Sequence, residues 1–326
     1  MRKYIYIILV ISSTFSFACN SKKDDTDKPK NNTIQIDPSY NIDIKDFLMR
    51  DPFVFVDTIG KSYYIQASSG DNQTFTVYQS KDLKKWKNLG KSFIAPSDFW
   101  GKQDFWAPDM FQYKGKYYIS ATFSATGIKR GCSFLVSDFP QGPYEPLTNK
   151  LITPAGWTCL DGTLYIDNGQ PYLLFCREWL EVIDGRVYLQ KLSNDLKTTV
   201  GDPILLFNAS SAPWVGDISA QDVTGKVTDA PFIYRISNTE LIMFWSSFAK
   251  NTGKYSIGVA RSTTGLVTGP WVQDLTPLNN DDGGHAMVFK TLDGKLKISY
   301  HSPNTYPNYV SIYELDIYEG EITIIK

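Results

Sequence analysis

Asp51, Asp109, Asp161, Asp229 and His285 recur in a way that points to chemistry. Each stands just before a run that alternates apolar and polar residues, in Arg50-Asp51-Pro52-Phe53, Ala107-Pro108-Asp109-Met110, Leu160-Asp161-Gly162-Thr163, Thr228-Asp229-Ala230-Pro231 and Gly283-Gly284-His285-Ala286. Successive members are 58, 52, 68 and 56 residues apart. Carboxylates and imidazoles hold and pass protons, so the five would make a proton-transfer centre if they met. A recurrence at a few tens of residues marks a repeat architecture. In a β-propeller the first residues of each innermost strand crowd around one axis, and the spacing therefore predicts that all five line a central pocket.

The elements between these heads read as blades. In the first unit Phe53-Val54-Phe55-Val56, then Ser62 to Ala67, then Phe75 to Tyr78 and a segment around Trp86 give four strands, with a turn at Asp57 to Lys61. The second unit turns at Lys114-Gly115 and the third at Asn168-Gly169, a dipeptide that favours a tight hairpin. Leu241 to Trp245 and Asp293 to Ile298 continue the pattern in units four and five. No stretch sustains a helical period. The expectation is an all-β five-bladed propeller; a β-sandwich or two small β-domains is the alternative.

Six segments carry a family resemblance: Arg50-Asp51-Pro52, Trp106-Ala107-Pro108-Asp109, Leu160 through Asp167, Asp229-Ala230-Pro231-Phe232, Gly269-Pro270-Trp271 and Gly283-Gly284-His285. They resemble the signature segments of glycoside hydrolase family 43, in that family's order, from about residue 45 to the end. The resemblance implies a five-bladed propeller that cleaves α-L-arabinofuranosyl, β-D-xylosyl or related linkages with inversion. An exo-acting α-L-arabinofuranosidase or β-xylosidase is expected. Inverting hydrolysis needs one carboxylate to deprotonate a water and one carboxylic acid, roughly 6.5–9.5 Å away, to protonate the departing oxygen. By the family match Asp51 is the base, and Asp161 is the third carboxylate, which orients the acid and raises its pKa.

The chain departs from the family at the acid, where Glu-Ala-Pro or Glu-Gly-Pro is usual and Asp229-Ala230-Pro231 stands, one methylene shorter. Either Asp229 is the proton donor or another acid has taken over, and Glu178, at the end of a strand in unit three, is the rival. Trp106 and Asp109 are expected to contact the sugar, as wall and hydroxyl acceptor, with Arg50 beside the base. His285, on its Gly-Gly lead, either faces a calcium or water in the axial channel, as in some relatives, or is a structural histidine; one imidazole is no calcium cage, since calcium takes six to eight oxygens. His301 either reaches the pocket rim and the substrate or is a satisfied structural histidine. No cofactor is required, and a structural calcium in the axial channel is the one ion the resemblance admits.

The first 18 residues carry Arg2 and Lys3 and then an apolar stretch too short for a membrane span, and read as a signal peptide. Ser16-Phe17-Ala18-Cys19 resembles a bacterial lipoprotein box, and Asn20-Ser21-Lys22-Lys23-Asp24-Asp25 looks like the surface-export signal of Bacteroidetes lipoproteins. Cys19 is thus expected to be lipidated, residues 19–33 to be a tether and residues 34–326 the propeller, anchored at the outer membrane by lipid alone. With Cys19 acylated, Cys132, Cys159 and Cys176 are an odd set without close spacing, which speaks against disulfides and zinc. A net charge of −1 without a basic stripe argues against nucleic acid. The expected partner is an oligosaccharide or polysaccharide, and the expected state a monomer. Two other functions stay open: a glycan-binding lipoprotein that has lost catalysis, motivated by Asp229, and another five-bladed enzyme such as a phosphorylase or fructosidase, against which stands the lack of a basic cluster beside Arg50.

Overall fold

In the computed structural model, which describes residues 37–326, five antiparallel meanders follow one another along the chain. Their innermost strands are Val54–Asp57, Gln103–Tyr113, Cys159–Asp167, Asp229–Arg235 and Gly284–Lys290. Each continues outward through three more strands. Ile42–Asp43 adds a fifth strand to blade 1 by pairing with Lys85–Ile94. The expected all-β five-bladed propeller is the fold; the expected signal peptide, Cys19 and the whole tether lie outside the described residues.

Turn chemistry sets the inner hairpins as the sequence indicates. Lys114-Gly115 and Asn168-Gly169 take left-handed backbone at both positions, the conformation that matches the twist of the flanking strands. The longest interval between units, from the third to the fourth, contains a small hairpin, Ile218–Ala220 with Val223–Gly225. A single helical turn, Trp179–Val182, follows the second strand of blade 3. The ring closes where the segment before blade 1 pairs with blade 5: Met49 N–H donates to Asn308 at 3.0 Å and Val310 N–H to Phe47 at 2.9 Å.

Blades pack face to face through apolar side chains, as strands with both faces covered require. Phe75, Phe93, Phe99, Phe105 and Phe123 form one aromatic cluster between blades 1 and 2, with Phe105 and Phe123 edge-to-face at 4.8 Å. Cys132 and Cys159 fill the next interface and Cys176 the one after; all three are free thiols buried without exposure.

The innermost strands share one irregularity. Asp51, Ala107, Asp161, Ala230 and His285 all have φ between 43° and 58°, and in blades 2 to 5 the ladder register shifts at that residue. A non-glycine residue there costs about 1–3 kcal/mol and persists only where the surroundings enforce it. Such bulges bend the strand and re-aim side chains, here towards the axis. The repeat is therefore more regular in the backbone than in the side-chain types: Ala107 and Ala230 occupy the positions of Asp51, Asp161 and His285, while Asp229 comes one residue earlier and Asp109 two residues later.

Candidate active site

A cleft of about 780 Å3 opens over the axis and is lined by Arg50, Asp51, Trp106, Asp161, Asp229, Tyr255 and His285, among others. Every blade supplies a carboxylate or an aromatic ring to it, the fifth giving both His285 and Tyr306. Below, a smaller cavity is lined by Asp109, Asp161 and His285.

Asp51 is the most strongly charged of these groups. His285 Nδ1–H donates to its Oδ1 at 3.0 Å. Burial opposes the charge, but the His285 imidazolium outweighs it and holds Asp51 well below the ordinary carboxylate range. Behind it His301 Nδ1 accepts from the Asp51 backbone N–H at 3.2 Å, and His301 Nε2 faces Asn304 Oδ1 at 3.3 Å. That network puts the His301 proton on Nε2, so the 3.3 Å approach of Nδ1 to the Asp51 carboxylate is proximity, not a second donor. His301 has no exposure. It does not reach the rim: it stacks on Tyr255, with ring centres 5.7 Å apart, and lies behind Asp51 as a structural histidine.

His285 is surrounded by acids. Burial disfavours its charge, yet Asp51, Asp161 and Asp109 together lift its pKa to about 10. Its backbone N–H is held by Ser246 Oγ at 2.9 Å. The preceding glycine is required by packing, because a Cβ at Gly284 would lie 2.2 Å from the Tyr255 ring.

Asp161 and Asp229 share a low-dielectric site. Asp161 Oδ2 accepts from Ala230 N–H at 3.0 Å and lies 3.8 Å from His285 Nδ1. Asp229 Oδ2 accepts from the Tyr255 hydroxyl at 3.0 Å. Burial raises both carboxyls, and Asp161 and Glu178 push Asp229 further. The shared proton belongs on Asp229, because Asp161 has a backbone N–H and a nearby imidazolium to stabilise its charge while Asp229 has one phenol.

Glu178 does not line the cleft. It is buried, and its Oε2 accepts from Arg130 Nη1 at 2.7 Å. Burial raises its pKa, with Arg130 opposing. Asp109 is buried below the cleft rather than facing it; burial pushes it to about 7, and its Oδ1 has no hydrogen-bond partner. Trp106 lines the cleft and is 39% exposed. Arg50 reaches across to the Asn304 carbonyl at 2.8 Å. Among the described residues no three His, Cys, Asp or Glu side chains are arranged to hold a metal ion.

Tyr255 was not legible as a site residue, because it heads the third strand of blade 4 and only the meander returns it to the axis. Tyr306, 82% exposed at the cleft edge, was missed for a similar reason: its loop, residues 303–308, carries no motif.

An ionised carboxylate, a protonated carboxyl and a third acid between them, at the mouth of a propeller, make a site for acid–base hydrolysis of a glycosidic bond. The model of the glycosyl hydrolases family 43 matches residues 40–314, and the chain belongs to that family and is a glycosidase. It is 59% identical to a crystal structure described as endo-arabinase from Bacteroides thetaiotaomicron, with a TM-score of 0.84 over 86% of this chain and 98% of that one. A thermostable family-43 glycoside hydrolase superposes with a TM-score of 0.74 at 26% identity, over 85% of this chain and 93% of that one. The extracellular exo-α-(1→5)-L-arabinofuranosidase of Cellvibrio japonicus is 24% identical over 72% of this chain and 74% of its own length.

Proposed function

We propose that the protein hydrolyses α-1,5-linked arabinan with inversion, cutting within the polymer. The observation that carries the reaction is the division of protonation states in one cleft: Asp51 held ionised by His285, and Asp229 held neutral by burial and by Asp161. Asp51 takes a proton from water as the water attacks the anomeric carbon. Asp229 gives its proton to the leaving oxygen, its second oxygen being held by Tyr255. Asp161 keeps that proton in place until the bond breaks, by the repulsion that follows ionisation of Asp229.

Support for the substrate comes from the 59% identical structure, described as an endo-arabinase, and from the α-(1→5) linkage in the names of both the Cellvibrio japonicus and the Bacillus subtilis relatives. Support for cutting within the polymer comes from the cleft, which is larger than one pentose needs and counts Leu48, Trp106 and Tyr306 among its lining residues. An exo enzyme of the kind expected from the sequence would close one end. Digestion of linear arabinan decides between them. Internal cutting releases oligosaccharides first, whereas release of arabinose alone from the outset would establish the exo mode, and no release from arabinan would remove the substrate.

We further propose that Cys19 carries lipid and that the enzyme works at the outer membrane. No helix among the described residues is long and apolar enough to span a bilayer, so Cys19→Ala should move the protein from the membrane to the soluble fraction on cell fractionation.

A further inference from the structure

Behind Trp106 stands a charged cluster that proton transfer does not use. The Arg130 guanidinium lies 4.3 Å from the centre of the Trp106 ring. Its Nε donates to Asp104 Oδ2 at 3.1 Å and its Nη1 to Glu178 Oε2 at 2.7 Å. Both acids are themselves fixed. Asp104 accepts from the Ser124 hydroxyl at 2.7 Å, and Glu178 begins the helical turn of blade 3 with its side chain 9% exposed. The neighbouring Lys129 reaches Glu181 of the same turn at 3.1 Å, so one strand of blade 2 is tied twice to blade 3. Trp106 lines the cleft and Arg130 does not, which leaves the indole between the guanidinium and the substrate.

We propose that Arg130 is a positioning residue: it stacks on the Trp106 indole and fixes it as a rigid wall for the pentosyl units of a bound arabinan chain, while Asp104 and Glu178 set the plane of the guanidinium. The inference rests on the arabinan reading above. A partly exposed indole without a partner samples several rotamers and must be ordered when a sugar stacks on it. Prior ordering of one such side chain is worth about 2- to 10-fold in affinity. Arginine suits the task because its planar fork can lie flat on a ring and still direct separate N–H groups at two carboxylates, which a lysine ammonium cannot do. Enclosure makes the pairs count, since exposed ion pairs hold little. Glu178 thereby gains a role without proton transfer: its carboxylate holds Arg130 and is not among the residues lining the cleft.

Steady-state kinetics on linear arabino-oligosaccharides test the clamp in the full-length protein. Arg130→Met, which keeps the apolar stem, should raise KM about 3- to 10-fold with a far smaller change in kcat. Arg130→Lys should not restore KM. Trp106→Ala should raise KM at least as much, and adding Arg130→Met to it should raise KM no further, because two residues acting through one wall are not additive. Independent, multiplying losses in the double variant, or a loss confined to kcat, would overturn the proposal. If Arg130→Met fails to fold, Glu178→Gln keeps the shape with a weaker neutral bond and should show the same KM shift in smaller measure; an unchanged KM there counts against the clamp. A wild-type protein that cleaves no arabinan instead removes the functional reading, and calorimetric titration of the same variants with arabino-oligosaccharide then reads the clamp separately.

Discussion

Asp229 is one methylene shorter than the glutamate usual at its position in the family, and its surroundings act on its proton in opposite directions. Burial and Asp161 hold it neutral, and the Tyr255 hydroxyl takes one of its oxygens at 3.0 Å. If it is the acid, Asp229→Asn should cut turnover steeply, by about 10²–10⁴-fold, on aryl glycosides with poor leaving groups and far less on activated ones, which depart without a proton. Glu178→Gln should leave that dependence on the leaving group intact; its transfer to Glu178→Gln would make Glu178 the donor after all. Tyr255 offers a finer test. Its hydrogen bond favours the ionised form of Asp229, so Tyr255→Phe should raise the Asp229 pKa. Because the acid must be protonated to act, the basic limb of the kcat/KM profile should move to higher pH, while the acidic limb, set by Asp51, stays within a few tenths of a unit. A basic limb that moves down would show that Tyr255 acts on another group.

At the scale of elements, the five heads were legible because strand starts in a propeller must meet, and a few tens of residues is one blade. Their register was not. Reading by side-chain type aligned Asp109 and Asp229 with Asp51, whereas the bulges align Ala107 and Ala230 with it, since positive φ is enforced by packing and leaves no mark on an alanine. Hence Asp109 falls below the cleft, although it was expected to meet substrate. Packing also explains the glycine after Asp161. A Cβ at Gly162 would come 2.7 Å from Cys132 Sγ and 2.8 Å from its Cβ, so that interface leaves no room for a methyl. Gly162→Ala should lower stability by about 1–3 kcal/mol in denaturant melts. Adding Cys132→Ala should recover only part, because the Cβ contact survives. Full stability of the single variant would mean that the bulge can shift, and activity should then fall as Asp161 moves with it.

For the whole molecule, the catalytic axis is a liability that pH exposes. Folded His285 titrates at about 10, against about 6.5 for an unfolded histidine. Its stabilising contribution is therefore fully present below about pH 6.5 and is lost as pH rises through 10. Asp109, raised to about 7, and Asp229, raised well above the ordinary range, also bind more protons folded than unfolded as soon as pH passes about 4. Asp51 works in the opposite sense, but its depressed pKa confines its effect to more acidic solution. Glu181, lowered to about 2 by the Thr158 N–H, Arg177 and Lys129 against its own burial, is likewise spent by pH 5. The melting temperature should then fall steadily from about pH 5 to pH 8.5, even though surface ion pairs change little over that range. In His285→Gln the imidazolium no longer opposes the rise of Asp109, Asp161 and Asp229, so the melting temperature at pH 6, where the wild-type imidazole is fully charged, should lie below that of the wild type. A wild-type melting temperature that is level or rising between pH 6.5 and 8.5 would show that the imidazole is not held charged by Asp51 and Asp161, and with it would go the reason Asp51 stays ionised.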